Sequence, residues 1–129
     1  MRAKRKRLPK DLDPGIRKLV QAMNRYRGIV TIGSCDGHPD PKTGRLAKGS
    51  WYVIFNVERN RHGWSALEFL AWAINHTREH VLLFPDAAPP HLNPHKNVLH
   101  FIIEGHPGEN PDKLAAWLEK ARKKLFPAP

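Results

Sequence analysis

The chain has 129 residues, is 40% hydrophobic and carries a formal net charge of +10 from 22 basic and 12 acidic residues. That length suits one domain, which can bury roughly two-thirds of the surface its unfolded chain exposes. Every apolar run falls far short of the ~20 residues of a membrane-spanning helix, and no hydrophobic segment follows the basic start. The single cysteine, Cys35, excludes an internal disulfide; the expected setting is the cytoplasm, with no membrane partner.

Six basic residues crowd the first ten positions: Arg2, Lys4, Arg5, Lys6, Arg7 and Lys10. Residues 1–12 are therefore expected to form a flexible basic arm, too polar to bury apolar surface. Such an arm suits the neutralisation of phosphates. A solvated, solubilising tail is the alternative. The remaining residues, 13–127, are expected to form one domain.

Asp13-Pro14 has the form of a helix cap followed by proline at the first helical position. Ile16, Leu19, Val20 and Met23 then recur at helical spacing, and Gly28 can end the helix. Residues 29–34 are apolar and β-branched, which predicts a buried strand. A polar loop follows over residues 36–49. Residues 50–57 alternate, with Trp51, Val53, Phe55 and Val57 on one face and Tyr52, Ile54 and Asn56 on the other.

Ser65 and Glu68 form an S-x-x-E capping box, which predicts a second helix opening there. Leu67, Leu70, Ala71 and Ile74 give its core stripe; Trp64, Phe69 and Trp72 widen it, so this helix is expected to be the most buried. Residues 80–84 predict a third strand. Residues 85–94 hold four prolines and predict an irregular loop. Residues 98–104 predict a fourth strand, with Leu99, Phe101 and Ile103 facing one way and Val98, His100, Ile102 and Glu104 the other. Asn110-Pro111 predicts a third helix with Leu114, Trp117, Leu118, Ala121 and Leu125 inside.

The order α-β-β-α-β-β-α predicts an α+β, two-layer sandwich: a four-stranded, mainly antiparallel sheet with three helices on one face. The other face would carry Tyr52, Asn56, His100 and Glu104 beside Ile54 and Ile102. Too mixed for a core and too apolar for plain surface, it should line a groove or join a homodimer.

Chemistry concentrates at Ser34-Cys35-Asp36-Gly37-His38, where the apolar strand gives way to loop. Loops held by rigid strands are where sites usually form. Cys35, Asp36 and His38 are the catalytic candidates. Cys35 and His38 could be a nucleophile with its base, part of a zinc site with His91, His95, His100 or His106, or simply a small buried cysteine at a strand end and a surface loop histidine. One cysteine makes a poor zinc set, and no metal is expected. Glu104-Gly105-His106 ends another strand and makes a second loop of the same kind, or a plain turn. No G-x-G-x-x-G and no Walker loop occurs, so a Rossmann dinucleotide site is not expected.

Tyr26 to Gly37, with Ser34-Cys35-x-Gly37, followed by Lys48-Gly49-x-Trp51 at a strand entry, resembles the third methyltransferase of tRNA wybutosine synthesis. That family shows a helix, a Thr-containing apolar strand, a Ser-Ser-Cys-Ser-Gly-Arg turn and a Lys-Gly-Gly segment before a strand with tryptophan. Here Gly33 replaces the first serine, Asp36 the second and His38 the arginine. The resemblance spans roughly residues 13–75. It implies an α+β fold without a Rossmann sheet, S-adenosylmethionine as methyl donor and a modified guanosine of tRNA as acceptor. On this reading Ser34, Gly37, Lys48, Trp51 and Tyr52 are binding residues, with Lys48 on phosphate and Trp51 or Tyr52 stacking on a base. His100 and Glu104 of the mixed sheet face and His106 of the second strand-end loop are further binding candidates. The expected function is that of a small RNA-binding or RNA-modifying protein. The alternatives are a non-catalytic interaction or oligomerisation domain and a thiol or zinc hydrolase.

Overall fold

Trp51, Val53, Phe55 and Val57 are each at most 1% exposed, so the alternation along this strand does put one whole face in the core. A computed structural model describes residues 12–36, 50–85, 98–106 and 109–125, the side chain of Leu125 excepted. A 3-10 turn (Pro14–Ile16) leads into α1 (Arg17–Asn24). Then come β1 (Ile29–Cys35), β2 (Tyr52–Glu58), α2 (Arg61–His76), β3 (Val81–Pro85), β4 (Val98–Gly105) and α3 (Pro111–Leu125). The sheet order is β1-β2-β4-β3, and every pairing is antiparallel. The three helices cover one face, giving the expected α+β sandwich.

The predicted stripe of α1 holds and that of α3 holds in part, with Trp117 half-buried and the Leu125 side chain outside the described residues. Ile16, Leu19, Val20 and Met23 are buried, as are Leu114, Leu118 and Ala121. Each large aliphatic side chain buried this way contributes about 1.5–3 kcal/mol. Leu12, grouped by sequence with the arm, is also buried in this core. Tyr26 closes the layer from the end of α1. Its hydroxyl donates to the Leu118 carbonyl (3.2 Å), and burial pushes its pKa above the usual range.

Helix α2 departs from expectation at both its start and its face. It begins at Arg61, and the cap is Asn60, whose side chain accepts from the N–H groups of His62 and Gly63. Ser65 and Glu68 lie inside the helix as exposed residues. The buried face is Gly63, Ala66, Phe69, Leu70 and Ala73. Trp64 and Trp72 are 51% and 39% exposed, so they lie outside the core.

The start of α2 also sits against backbone. A side chain at Gly63 would run into the Glu58 carbonyl, and one at Gly28 would lie 2.5 Å from the Gly63 nitrogen. Gly28 has φ +93°, the left-handed region that glycine tolerates. Its carbonyl accepts from the Glu58 N–H (2.9 Å).

The outer edge of β1 is closed by a side chain. Asn24 accepts from the Thr31 N–H (3.1 Å) and donates to the Thr31 hydroxyl (2.7 Å). The register then slips between Thr31 and Gly33, a bulge at Ile32.

Gly63→Ala is expected to destabilise the fold by about 1–3 kcal/mol or more, the cost of overpacking, read as a lowered denaturation midpoint. Gly33→Ala should stay within about 0.5 kcal/mol, because its added carbon meets only Ile54, at 3.8 Å.

Candidate functional site

The end of β1 is strapped to the start of the first helical turn. Asp36 donates its backbone N–H to the Asp13 carboxylate (3.1 Å) and accepts from the Gly15 N–H (3.3 Å). Asp13 makes no side-chain cap bond to its own turn; it reaches across to Asp36. Cys35, 5% exposed, is part of the same cluster: Asp13, Cys35 and Asp36 each offer a ligand atom within 4.8 Å of the others. Two carboxylates and a thiol are chemically able to hold a cation. Both carboxylates already accept backbone N–H groups here. Asp36, a catalytic candidate by sequence, therefore has a fastening role in this structure.

A cleft of about 230 Å³ opens beside this strap, lined by Leu12, Asp13, Val20, Thr31, Ile32, Gly33 and Ser34. It is smaller than typical ligand pockets of about 300–1,000 Å³. It admits a base-sized group with apolar contacts from Leu12 and Val20 and polar ones from Asp13 and Ser34. Sequence reasoning took Asp13 only as a cap; the Asp-Pro pair carries no signal that its carboxylate would meet Asp36.

The sheet register sets the remaining candidates in rows. Cys35 pairs with Tyr52, Tyr52 with Glu104, and Glu104 with Leu82. Neighbouring strands lie about 4.8 Å apart, so the backbones of Cys35 and Glu104 are separated by roughly 10 Å. His100 stands in another row, with Asn56 and Val30. Four residues along β4, that row is roughly 13 Å from the Glu104 row. His100 is thus farther from Cys35 than Glu104 is.

Tyr52, Asn56, His100, Ile102 and Glu104 are half-buried, and Val30, Leu82 and Phe84 are exposed. No described helix packs on this face. The Asn56 side-chain oxygen is buried and has no hydrogen-bond partner among the described residues.

Trp51 is a correction. It is 1% exposed, with its indole against Gly105, and cannot stack on a base. His106 joins a different group at the end of β4. Its N–H donates to the His80 carbonyl (3.0 Å), and its ring lies 6.0 Å from that of His80. Nδ1 of His80 is 2.9 Å from a Glu109 oxygen. Hydrogen bonding from Glu79, then from His80, draws Glu109 down to about 2, and the bond to Glu109 raises Glu79. Gly37, His38, Lys48, His91, His95 and the six cations of residues 2–10 lie outside the described residues.

No family model, no curated protein and no solved structure matches the chain.

Two expectations follow. Asp13→Ala strands the Asp36 N–H and should cost about 1 kcal/mol in a urea titration, while Asp13→Asn, which keeps an acceptor, should recover most of it. The second concerns pH. Glu79 is raised, so its contribution is complete below its ordinary 4.5 and is lost as pH rises through its raised value. Glu109 is lowered, so its contribution holds above its ordinary 4.5 and fades only as pH falls toward about 2. Glu79→Gln should therefore flatten the dependence of melting temperature on pH above 4.5.

Proposed function

We propose that this chain is a small basic RNA-binding protein of the RNA-modifying kind, with tRNA as the partner class. Its ligand site would lie at the end of β1 and on the adjoining open sheet face. The observation that carries this is the sheet face on which no described helix packs. It holds an aromatic ring, Tyr52, in one row with the carboxylate of Glu104. Unstacked RNA bases offer flat rings and edge N–H groups, which are the complements of these side chains. Tyr52 stacks on a base, and Glu104 accepts from base N–H groups. The net charge of +10 draws the polyanion, with the six cations of residues 2–10 neutralising phosphates.

The wybutosine-type resemblance makes S-adenosylmethionine the proposed methyl donor. Leu12, Val20, Asp13 and Ser34 suit its adenosine end, but the cleft is below the size of a whole-cofactor site. A second reading, the non-catalytic interaction domain, draws on exposed Val30, Leu82 and Phe84, which a homodimer would cover.

Fluorescence anisotropy with unmodified tRNA tests the first reading. Tyr52→Leu should weaken binding about tenfold, the effect of losing a stacked base. Deleting residues 2–9 should flatten the log–log salt slope by roughly 0.9 for each phosphate that the arm no longer neutralises. Unchanged affinity in both variants would remove the proposal. A wild-type dimer in light scattering that becomes monomeric in Phe84→Asp would favour the second reading.

A further inference from the structure

The helix layer carries an aromatic cluster in which Trp117 packs on the core while Trp72 and His76 are exposed. Trp72 stacks on His76, one turn ahead, with ring centroids 4.8 Å apart and 25° between planes. It also stacks on Trp117 of α3, at 5.9 Å and 22°. Three rings thus make a near-parallel ladder across two helices.

Two of the rings are pinned. The Trp117 Nε1–H donates to the Ala73 carbonyl (2.8 Å), and His76 Nδ1 lies 2.7 Å from the Trp72 carbonyl, which accepts its proton. Burial is not what holds Trp72, which keeps 39% of its surface exposed; Trp64, two turns earlier, keeps 51%. His76 is exposed as well.

The charge around the ladder is mainly positive. Lys113 and Lys120 are four before and three after Trp117, on its side of α3, and Lys124 is one turn further. All three are exposed; the charge of Lys113 acts on Glu79, and Lys120 and Lys124 form no ion pair among the described residues. Glu119, the nearest acid on α3, is held by Arg25 and Arg122. Glu79, facing Lys113, and Glu68, exposed midway between Trp64 and Trp72, are opposing charges.

We infer that this face is a stacking platform for a single-stranded polynucleotide segment, a second contact on the side opposite the open sheet. It rests on the reading that RNA is the partner. Flat, prepositioned rings accept any base by stacking, and flanking lysines take the phosphates, which is the chemistry of sequence-tolerant single-strand binding. Rings already pinned to helix backbone lose little freedom when a base adds to the stack.

The test titrates the full chain with a labelled oligouridine of about 15 nucleotides, comparing His76→Ala, Trp72→Leu, Lys120→Glu and Glu68→Gln with Tyr52→Leu on the sheet. Trp72→Leu should weaken binding about tenfold and His76→Ala about fivefold, with tryptophan fluorescence of the wild type quenched on binding. Glu68→Gln should tighten binding, since it removes a like charge from the path of the phosphates. Unchanged affinity in Trp72→Leu and His76→Ala overturns the platform, even if Tyr52→Leu weakens binding and the sheet reading stands. Weakening at the helix face with Tyr52→Leu neutral supports the platform and removes the sheet site instead. No oligouridine binding by the wild type overturns both. Self-association lost in Trp72→Leu at constant oligouridine affinity assigns the face to a protein contact and also overturns the platform. Should Trp72→Leu not fold, exposed His76→Ala and Lys120→Glu decide, and unchanged affinity in both is the overturning result.

Discussion

Three segments meet where no side chain fits. Gly28 ends the turn after α1, Glu58 ends β2, and Gly63 sits in the first turn of α2, all in backbone contact. The Glu58 N–H to Gly28 carbonyl bond (2.9 Å) continues the β1–β2 ladder into this corner. The Asn60 cap starts α2 at the one place where its axis can approach the sheet this closely. That close approach lets Phe69 and Leu70 enter the core from the next turns of α2. A methyl group at Gly63 would push the helix off the layer, because the obstacle is a peptide group with no rotamer to yield.

Period-two and period-3.6 patterns were legible wherever one face is wholly apolar. Strand β2 shows this with Trp51 to Val57, and α1 with Ile16 to Met23. The start of α2 was not, because S-x-x-E at Ser65 and Glu68 imitates a cap in the middle of a helix. Asn60 is an equally good cap residue, but the arginine, histidine and glycine after it give no apolar period to mark a helix. Tryptophan misled in the same element. Counted as apolar, Trp64 and Trp72 widen the stripe; physically, a large ring with an N–H can sit half in water. Which it does depends on the third helix, from which Trp117 arrives, and no local pattern encodes that.

The candidate site was legible as a place and less so as a set of roles. The strand-to-loop change at Ser34 to Asp36 marks the rim of a cleft. Its partner Asp13 comes from 23 residues away, through the Asp36 N–H. The open face was better encoded, since Tyr52, Glu104, His100 and Asn56 follow from strand alternation once β2 and β4 pair. Their rows did not follow, because register depends on turns that alternation does not fix. Hence His100 aligns with Val30, away from Cys35.

The clamp of Asn24 on Thr31 bears on how this sheet can grow. A free outer strand offers its peptide groups to any other extended chain. At β1 the Thr31 N–H is occupied from within the same molecule, and the bulge at Ile32 breaks the regular spacing a neighbour would need. At the far side, β3 is five residues long and ends in Pro85, which has no N–H to give. Among the described residues the sheet has four strands, and at Thr31 on one edge and Pro85 on the other no N–H is left for a further strand to take.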